Sequence, residues 1–171
     1  MKVLIVIDML KDFMDKNAPL YCGEEGRAII PFIKQKMDEY RRSGDKIVYV
    51  CDAHDPRDKE FQMFKPHAVK GSSGAEVIDE LKPQEGDIIV EKTTVRTFYD
   101  TNLDRVLKEL NPEEVCVLGV CTSICIMETV GALRVRGYKA VVYKDGVADF
   151  DSDAHDYALK RMVSVYGAEI R

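Results

Sequence analysis

The chain has 171 residues, a formal net charge of -5 at pH 7 and five cysteines. A domain of that length removes about 70% of its unfolded surface from water, so one well-buried domain is expected, and the acidic balance speaks against a nucleic-acid or anionic-membrane partner. Nothing approaches the ~20 apolar residues of a membrane span, MKVLIVID is too short and too soon acidic for a signal peptide, and the cysteines are odd in number and scattered; a soluble cytoplasmic protein with free thiols and a small-molecule ligand is expected.

VLIVID (3–8) opens the chain as a short β-branched run, read as a buried parallel strand ending on Asp8. Amphipathic spacing from Glu24 to Arg42 predicts a helix, and KIVYVCD (46–52) a second strand ending on Asp52. Ala53 to Lys70 then breaks every periodicity, and a connection of that length is usually functional or disordered. DIIVEK (87–92) is a third strand ending on Lys92. Thr101 to Leu110 follows as a helix, with Thr101 and Asn102 available as caps for a face of Leu103, Val106, Leu107 and Leu110. EVCVLGV (114–120) is the fourth strand, Thr122 to Arg136 a helix stopped by Gly137, and YKAVVYKD (138–145) the fifth strand. Asp153 to Val165 is the last helix, with Ser152 or Asp153 as its cap and His155 exposed on it. The AEIR tail is available as a sixth strand. Strand alternating with helix predicts an α/β fold: a three-layer α/β/α, doubly wound, mostly parallel sheet of five to six strands.

Ligands of such sheets bind outside the carboxyl ends of the strands, where Asp8, Asp52, Lys92 and the segment GVCTSIC (119–125) gather. Asp8 beside Lys92 stays ionised and can take a proton from a thiol, while the ammonium favours the thiolate. Cys125 falls in the first turn of a helix, where free amides also favour a thiolate, and Cys121 in the loop before it shapes backbone. Their spacing of four misses the CxxC motif, so redox and zinc-knuckle readings are weak, and Cys51 and Cys116 read as packing. In DAHDPRDKEFQMFKPHAVKG, Asp52 and His54 are two apart on extended chain, His67 returns thirteen residues after His54, and Glu60 lies between. One carboxylate and two imidazoles suit zinc, iron or manganese at a catalytic site with open positions.

DMLKDF, DAHDPRDKEF, FKPH, GSSGAEV, EKTTVRTFYDTNLDRVL, GVCTSICIMETVGALRVRGY and KDGVADFD occur in that order, and together they resemble the isochorismatase-like cysteine hydrolases, within them the nicotinamidases and pyrazinamidases. The resemblance covers nearly the whole chain. It implies a catalytic triad of Asp8, Lys92 and Cys125, an oxyanion hole from the amides of Cys121 and Cys125, and a cis peptide between Val120 and Cys121. It further implies that Asp52, His54 and His67 hold a divalent metal, zinc before iron or manganese, with Glu60 as an extra carboxylate ligand. Phe13, Phe64, Val120 and Cys121 would contact a planar amide substrate. A homo-oligomer working in nicotinamide cofactor salvage is implied as well. The chain departs from many relatives at Leu10 and Lys11, which replace Gln and Asn, at Ser123, which replaces Asp, and at Val95, which replaces Tyr. The implied reaction is metal-dependent hydrolysis of nicotinamide or a similar small aromatic amide through a thioester on Cys125. The alternatives are a metal-independent relative acting on an N-carbamoyl or ureido compound or on isochorismate, and a binding protein that has lost the triad geometry. A nucleotide site is weaker, because DMLKDF is no glycine-rich phosphate loop.

Overall fold

A computed structural model describes residues 1–171. Strand-forming residues alternate their burial between two apolar clusters, which is what a sheet covered on both faces requires. Leu4 and Val6 of β1 (Lys2–Ile7), with Ile47 and Tyr49 of β2 (Lys46–Asp52), pack on one side against Ile33, Met37 and Tyr40 of α3 (Ile30–Arg42). Val3, Ile5 and Ile7 face the other side, toward α4 (Leu103–Leu110) and α5 (Met127–Val135). With β3 (Ile88–Lys92), β4 (Glu114–Val120), β5 (Ala140–Ala148) and β6 (Glu169–Ile170), the sheet has six strands in the order β3-β2-β1-β4-β5-β6, every pairing parallel. The order reverses between β1 and β4, so the crevice of a doubly wound sheet opens where Asp8 ends one strand and Cys121 follows the other. No helix is long and apolar enough to cross a membrane.

Four local expectations change. The predicted helix from Glu24 to Arg42 is two helices, α2 (Gly23–Ala28) and α3, meeting at Ile29, because Pro31 in the first turn of α3 has no N–H to continue the α2 ladder. The helix expected from Thr122 opens as a π-helical turn over Thr122–Ile126, and α5 starts only at Met127; from α5, Thr129 Oγ1 donates to the Cys125 carbonyl of the turn at 2.6 Å. The cap of α6 (Ser152–Ser164) is Asp151, not Ser152 or Asp153: its carboxylate accepts the N–H groups of Asp153 and Ala154. His155 is half-buried rather than exposed, since its Nδ1 lies 2.8 Å from the Thr122 hydroxyl. A four-residue α1 (Lys11–Met14), absent from the sequence reading, follows β1.

The long connection after β2 is ordered by its own backbone. His54 N–H donates to the Ala68 carbonyl and Lys70 N–H to the His54 carbonyl, both at 2.9 Å, which ties the two ends of the loop together. Asp12 in α1 reaches across to accept the Ala68 N–H at 2.8 Å. Gly74 permits that approach, because a Cβ there would stand 2.1 Å from the Asp12 carboxylate.

Candidate active site

Each polar side chain at the carboxyl edge is delivered by the end of an apolar strand. Asp8 follows β1 with φ +52°, Asp52 ends β2, Lys92 ends β3, and all three are buried. Beside them β4 presses against β1 at Gly119, where φ is +117° and a Cβ would meet the Ile7 carbonyl oxygen at 2.0 Å. Only glycine fits, and the chain then turns through a cis Val120–Cys121 peptide into the turn that carries Cys125.

Lys92 Nζ is the hub. It lies 2.8 Å from Asp8 Oδ2 and 3.9 Å from Cys125 Sγ, and it donates to Asp52 Oδ1. Asp8 Oδ1 accepts the Asp52 N–H at 3.0 Å, which fixes the carboxylate against the neighbouring strand. Asp52 divides its oxygens: Oδ1 takes the ammonium, while Oδ2 stands 3.6 Å from both His54 Nε2 and His67 Nε2. The ligand atoms of Asp52, His54 and His67 all lie within 4.8 Å of one another. Their outer nitrogens are engaged elsewhere: His54 Nδ1 is 3.0 Å from Asp58 Oδ2, and His67 Nδ1 is 2.7 Å from the Lys65 carbonyl. Those contacts suit a donor at Nδ1, so in the neutral form that binds a cation each Nε2 lone pair faces Asp52. His54 Nε2 is buried without a hydrogen-bond partner. A buried nitrogen of that kind, a shared carboxylate and a second imidazole fit a divalent cation. Glu60 stands outside this group of three and borders the adjoining cavity instead.

Burial dominates the acid–base character here. It lifts the Asp8 carboxyl to about 6, assisted by the Asp52 charge and opposed by Lys92. It also carries the Cys125 thiol well above its ordinary value in spite of Lys92. Burial thus favours the neutral Cys125 thiol against the pull of Lys92, and it makes Asp8 a readier proton acceptor than an ordinary carboxylate. Asp52 behaves oppositely: burial raises it, but Lys92, His54 and His67 together hold it far below the usual carboxylate range. Burial opposes charge on His54 as well, yet Asp52 and Asp58 raise it to about 9, so proton and cation compete for the same nitrogens.

The groups open on a cavity of about 310 Å³, mostly apolar, bordered by Asp8, Asp52, His67 and Cys125. Phe13 and Phe64 are on its wall as the resemblance implies, each edge-on to His67 at 5.5 and 6.2 Å between ring centres. Val95, Val120 and Cys121 border it too. Leu10 and Lys11 do not: Leu10 is wholly buried in the core and bridges Val77, and Lys11 pairs with Glu76 at 2.6 Å. Their departure from many relatives therefore leaves the cavity wall untouched. Leu20, Tyr21, Cys22, Ile124 and Phe150 line it without having been singled out in the sequence. All five cysteines are free, with Cys22 Sγ 3.5 Å from Cys121 Sγ.

Residues 2–170 match the family model described as the isochorismatase domain. The fold is similar to the crystal structure of nicotinamidase PncA from Bacillus subtilis, with a TM-score of 0.93 at 31% identity over 99% of this chain and 98% of that one. An N-carbamoylsarcosine amidase from Thermoplasma acidophilum matches with a TM-score of 0.89 at 34% identity, over 99% and 95%. A pyrazinamidase of Pyrococcus horikoshii solved in complex with zinc matches with a TM-score of 0.91 at 26% identity, over 99% and 98%.

Proposed function

The chain belongs to the isochorismatase family of hydrolases, and from that premise we propose that it is a metal-dependent cysteine amidohydrolase converting nicotinamide, or a similar small aromatic amide, to the acid and ammonia. The observation that carries the reading is the Lys92 ammonium, shared by Asp8, Cys125 and Asp52, with the second Asp52 oxygen turned toward two imidazoles at the edge of one apolar cavity.

Asp8 takes the thiol proton as Cys125 Sγ attacks the carboxamide carbon. The carbonyl oxygen becomes an oxyanion held by the amides of Cys121 and Cys125, and such donors typically contribute about 3 to 4 kcal/mol each. The proton on Asp8 leaves with ammonia. Water then attacks the thioester with Asp8 again as base, and the acid is released. Lys92 remains a cation throughout and balances Asp8 and the sulfur. Asp52, His54 and His67 would hold the divalent ion, with Glu60 nearby, and zinc is preferred because the Pyrococcus horikoshii relative was solved with it. When bound, the ion supplies a Lewis-acidic point that orients a ring nitrogen or a water. Phe13 and Phe64 would flank the substrate ring. On this reading the reaction belongs to cytoplasmic salvage of the nicotinamide ring.

Ammonia release from nicotinamide by zinc-supplied protein tests the proposal, and rapid turnover is the expected result. The 34% identity to the N-carbamoylsarcosine amidase supports a ureido substrate as the second reading. Turnover of an N-carbamoyl amino acid without added metal, and none of nicotinamide, would replace the first reading with the second. Failure to trap any acyl adduct on Cys125 with either substrate class would leave a binding protein.

A further inference from the structure

The turn that carries Cys125 has no cap of its own. Cys121, the residue before Thr122, makes no side-chain hydrogen bond to the amides that follow, although the first N–H groups of a helical segment have no partners within it. The β5–α6 connection supplies one for Ser123. β4 and β5 pair with Val120 opposite Ala148, so the residue after β5, Asp149, arrives beside the start of the turn. Asp149 is 5% exposed, and its Oδ2 accepts the Ser123 N–H at 2.7 Å while Oδ1 accepts the Asp151 N–H at 3.3 Å. A carboxylate on the amides at a helix start makes a charge-assisted bond aligned with the local dipole. From α6, His155 Nδ1 meets the hydroxyl of Thr122, itself wholly buried, at 2.8 Å. Neither Asp149 nor His155 borders the cavity.

We propose that Asp149 and His155 are positioning residues for the amidohydrolase reaction: acting from the β5–α6 connection, they fix the Thr122–Ser123 backbone and with it the placement of the Cys121 and Cys125 amides and of the Cys125 sulfur. The proposal deepens the reading above and rests on it. Both contacts fall within three residues of Cys125, on the side where the chain enters the turn. Toward its far end the turn is held by the apolar packing of Ile126 and Val130 and by the Thr129 hydroxyl on the Cys125 carbonyl, so loss of the Asp149 or the His155 contact loosens the entering side. A displacement of about 1 Å at a reacting group can cost about a hundredfold in rate.

The test compares Asp149→Ala, Asp149→Asn, His155→Ala, Thr122→Val and the His155→Ala/Thr122→Val double variant, each confirmed folded by its thermal melt. Readouts are kcat and KM for the amide, and the rate at which iodoacetamide alkylates Cys125 in substrate-free protein, followed by peptide mass spectrometry. Asp149→Ala is expected to lower kcat by ~10- to 100-fold with KM within ~3-fold, and to slow alkylation as the sulfur leaves Lys92 and Asp8. Asp149→Asn keeps an acceptor oxygen and recovers most of the loss. His155→Ala and Thr122→Val each cost ~3- to 10-fold, and the double variant costs no more than either. A folded Asp149→Ala protein with unchanged kcat and alkylation overturns the proposal, and so does an Asp149→Asn protein as impaired as the alanine variant. If Asp149→Ala does not fold, additive losses in the His155 and Thr122 cycle overturn it instead. Should the unmodified protein release no ammonia from any amide, the amidohydrolase reading fails, and unequal alkylation rates still decide the positioning role.

Discussion

At the amino edge of the sheet, Glu114 opens β4 with both oxygens engaged. Arg171 grips it in a bidentate pair at 2.9 and 2.8 Å, Lys139 approaches to 2.7 Å and Lys2 to 3.8 Å. At the carboxyl edge the count is reversed: Asp8 and Asp52 share the single ammonium of Lys92, and two imidazoles and a thiol crowd around them. The consequences for the carboxyl groups are opposite. Arg171 first, then Lys139, holds Glu114 at about 2 against the burial that would raise it, whereas burial and Asp52 lift Asp8 to about 6. A carboxylate given a surplus of cations serves folding. Acids crowded around one cation, with a neighbouring imidazole nitrogen left without a partner, are a conflict that a chain retains where chemistry or a ligand needs it.

The sharpest way to break that contrast is to remove the thiol. Cys125→Ala should cut amide turnover by at least ~1,000-fold while leaving the metal content of the purified protein, measured by elemental analysis, unchanged. A fully active variant would falsify the covalent route. Asp58→Asn is the next largest test, since Asp58 meets the cation site through the outer nitrogen of His54. It should weaken zinc binding by ~10- to 100-fold in a competition titration against a chelator. An unaltered affinity would mean that Asp58 serves the loop, whose Glu60 N–H it also accepts at 2.9 Å, and not the cation site.

Glu114→Gln probes the other edge. The folded Glu114 titrates near 2 and the unfolded one near 4.5, so its stabilising contribution is complete above about pH 5 and is lost as pH falls toward 2. Because Lys139 and Arg171 are partly exposed, ~1 to 2 kcal/mol is expected at neutral pH after solvent screening. Urea denaturation at pH 7 and at pH 3 measures it: the variant should lose stability at pH 7, match the parent more closely at pH 3, and keep its turnover per folded molecule. A loss of turnover would mean that the two clusters are coupled through β4.

Much of the carboxyl edge was legible because a charge that closes an apolar strand is conspicuous. Asp8, Asp52 and Lys92 each end such a run, and the parallel sheet carries strand ends to one edge. Asp149 ends β5 in the same manner, after GVA (146–148), but the acidic stretch that follows reads as a solvated helix start and hides it. His155 was hidden likewise, since only the three-dimensional approach of α6 to Thr122 removes it from water. The break at Ile29 depends on one proline, and the π-helical turn is a local change of backbone hydrogen bonding, both of which a periodic pattern averages away. The cavity wall was half legible: Phe13 and Phe64 were expected there, whereas Leu20, Tyr21 and Phe150 belong to connections without periodicity.

The smallest effect separates two kinds of departure from the relatives. Val95 borders the cavity, so Val95→Tyr places a ring into a space of about 310 Å³ and penalises bulky amides more than single-ring ones. The ratio of kcat/KM for nicotinamide to that for a bicyclic aromatic carboxamide should rise by ~3- to 10-fold, the scale on which apolar pockets discriminate. Lys11→Asn should leave that ratio unchanged, because the Lys11 ammonium points to Glu76 on the surface. Were Lys11→Asn to shift the ratio while Val95→Tyr did not, α1 rather than the segment after β3 would control entry, and the cavity wall would have been drawn on the wrong side.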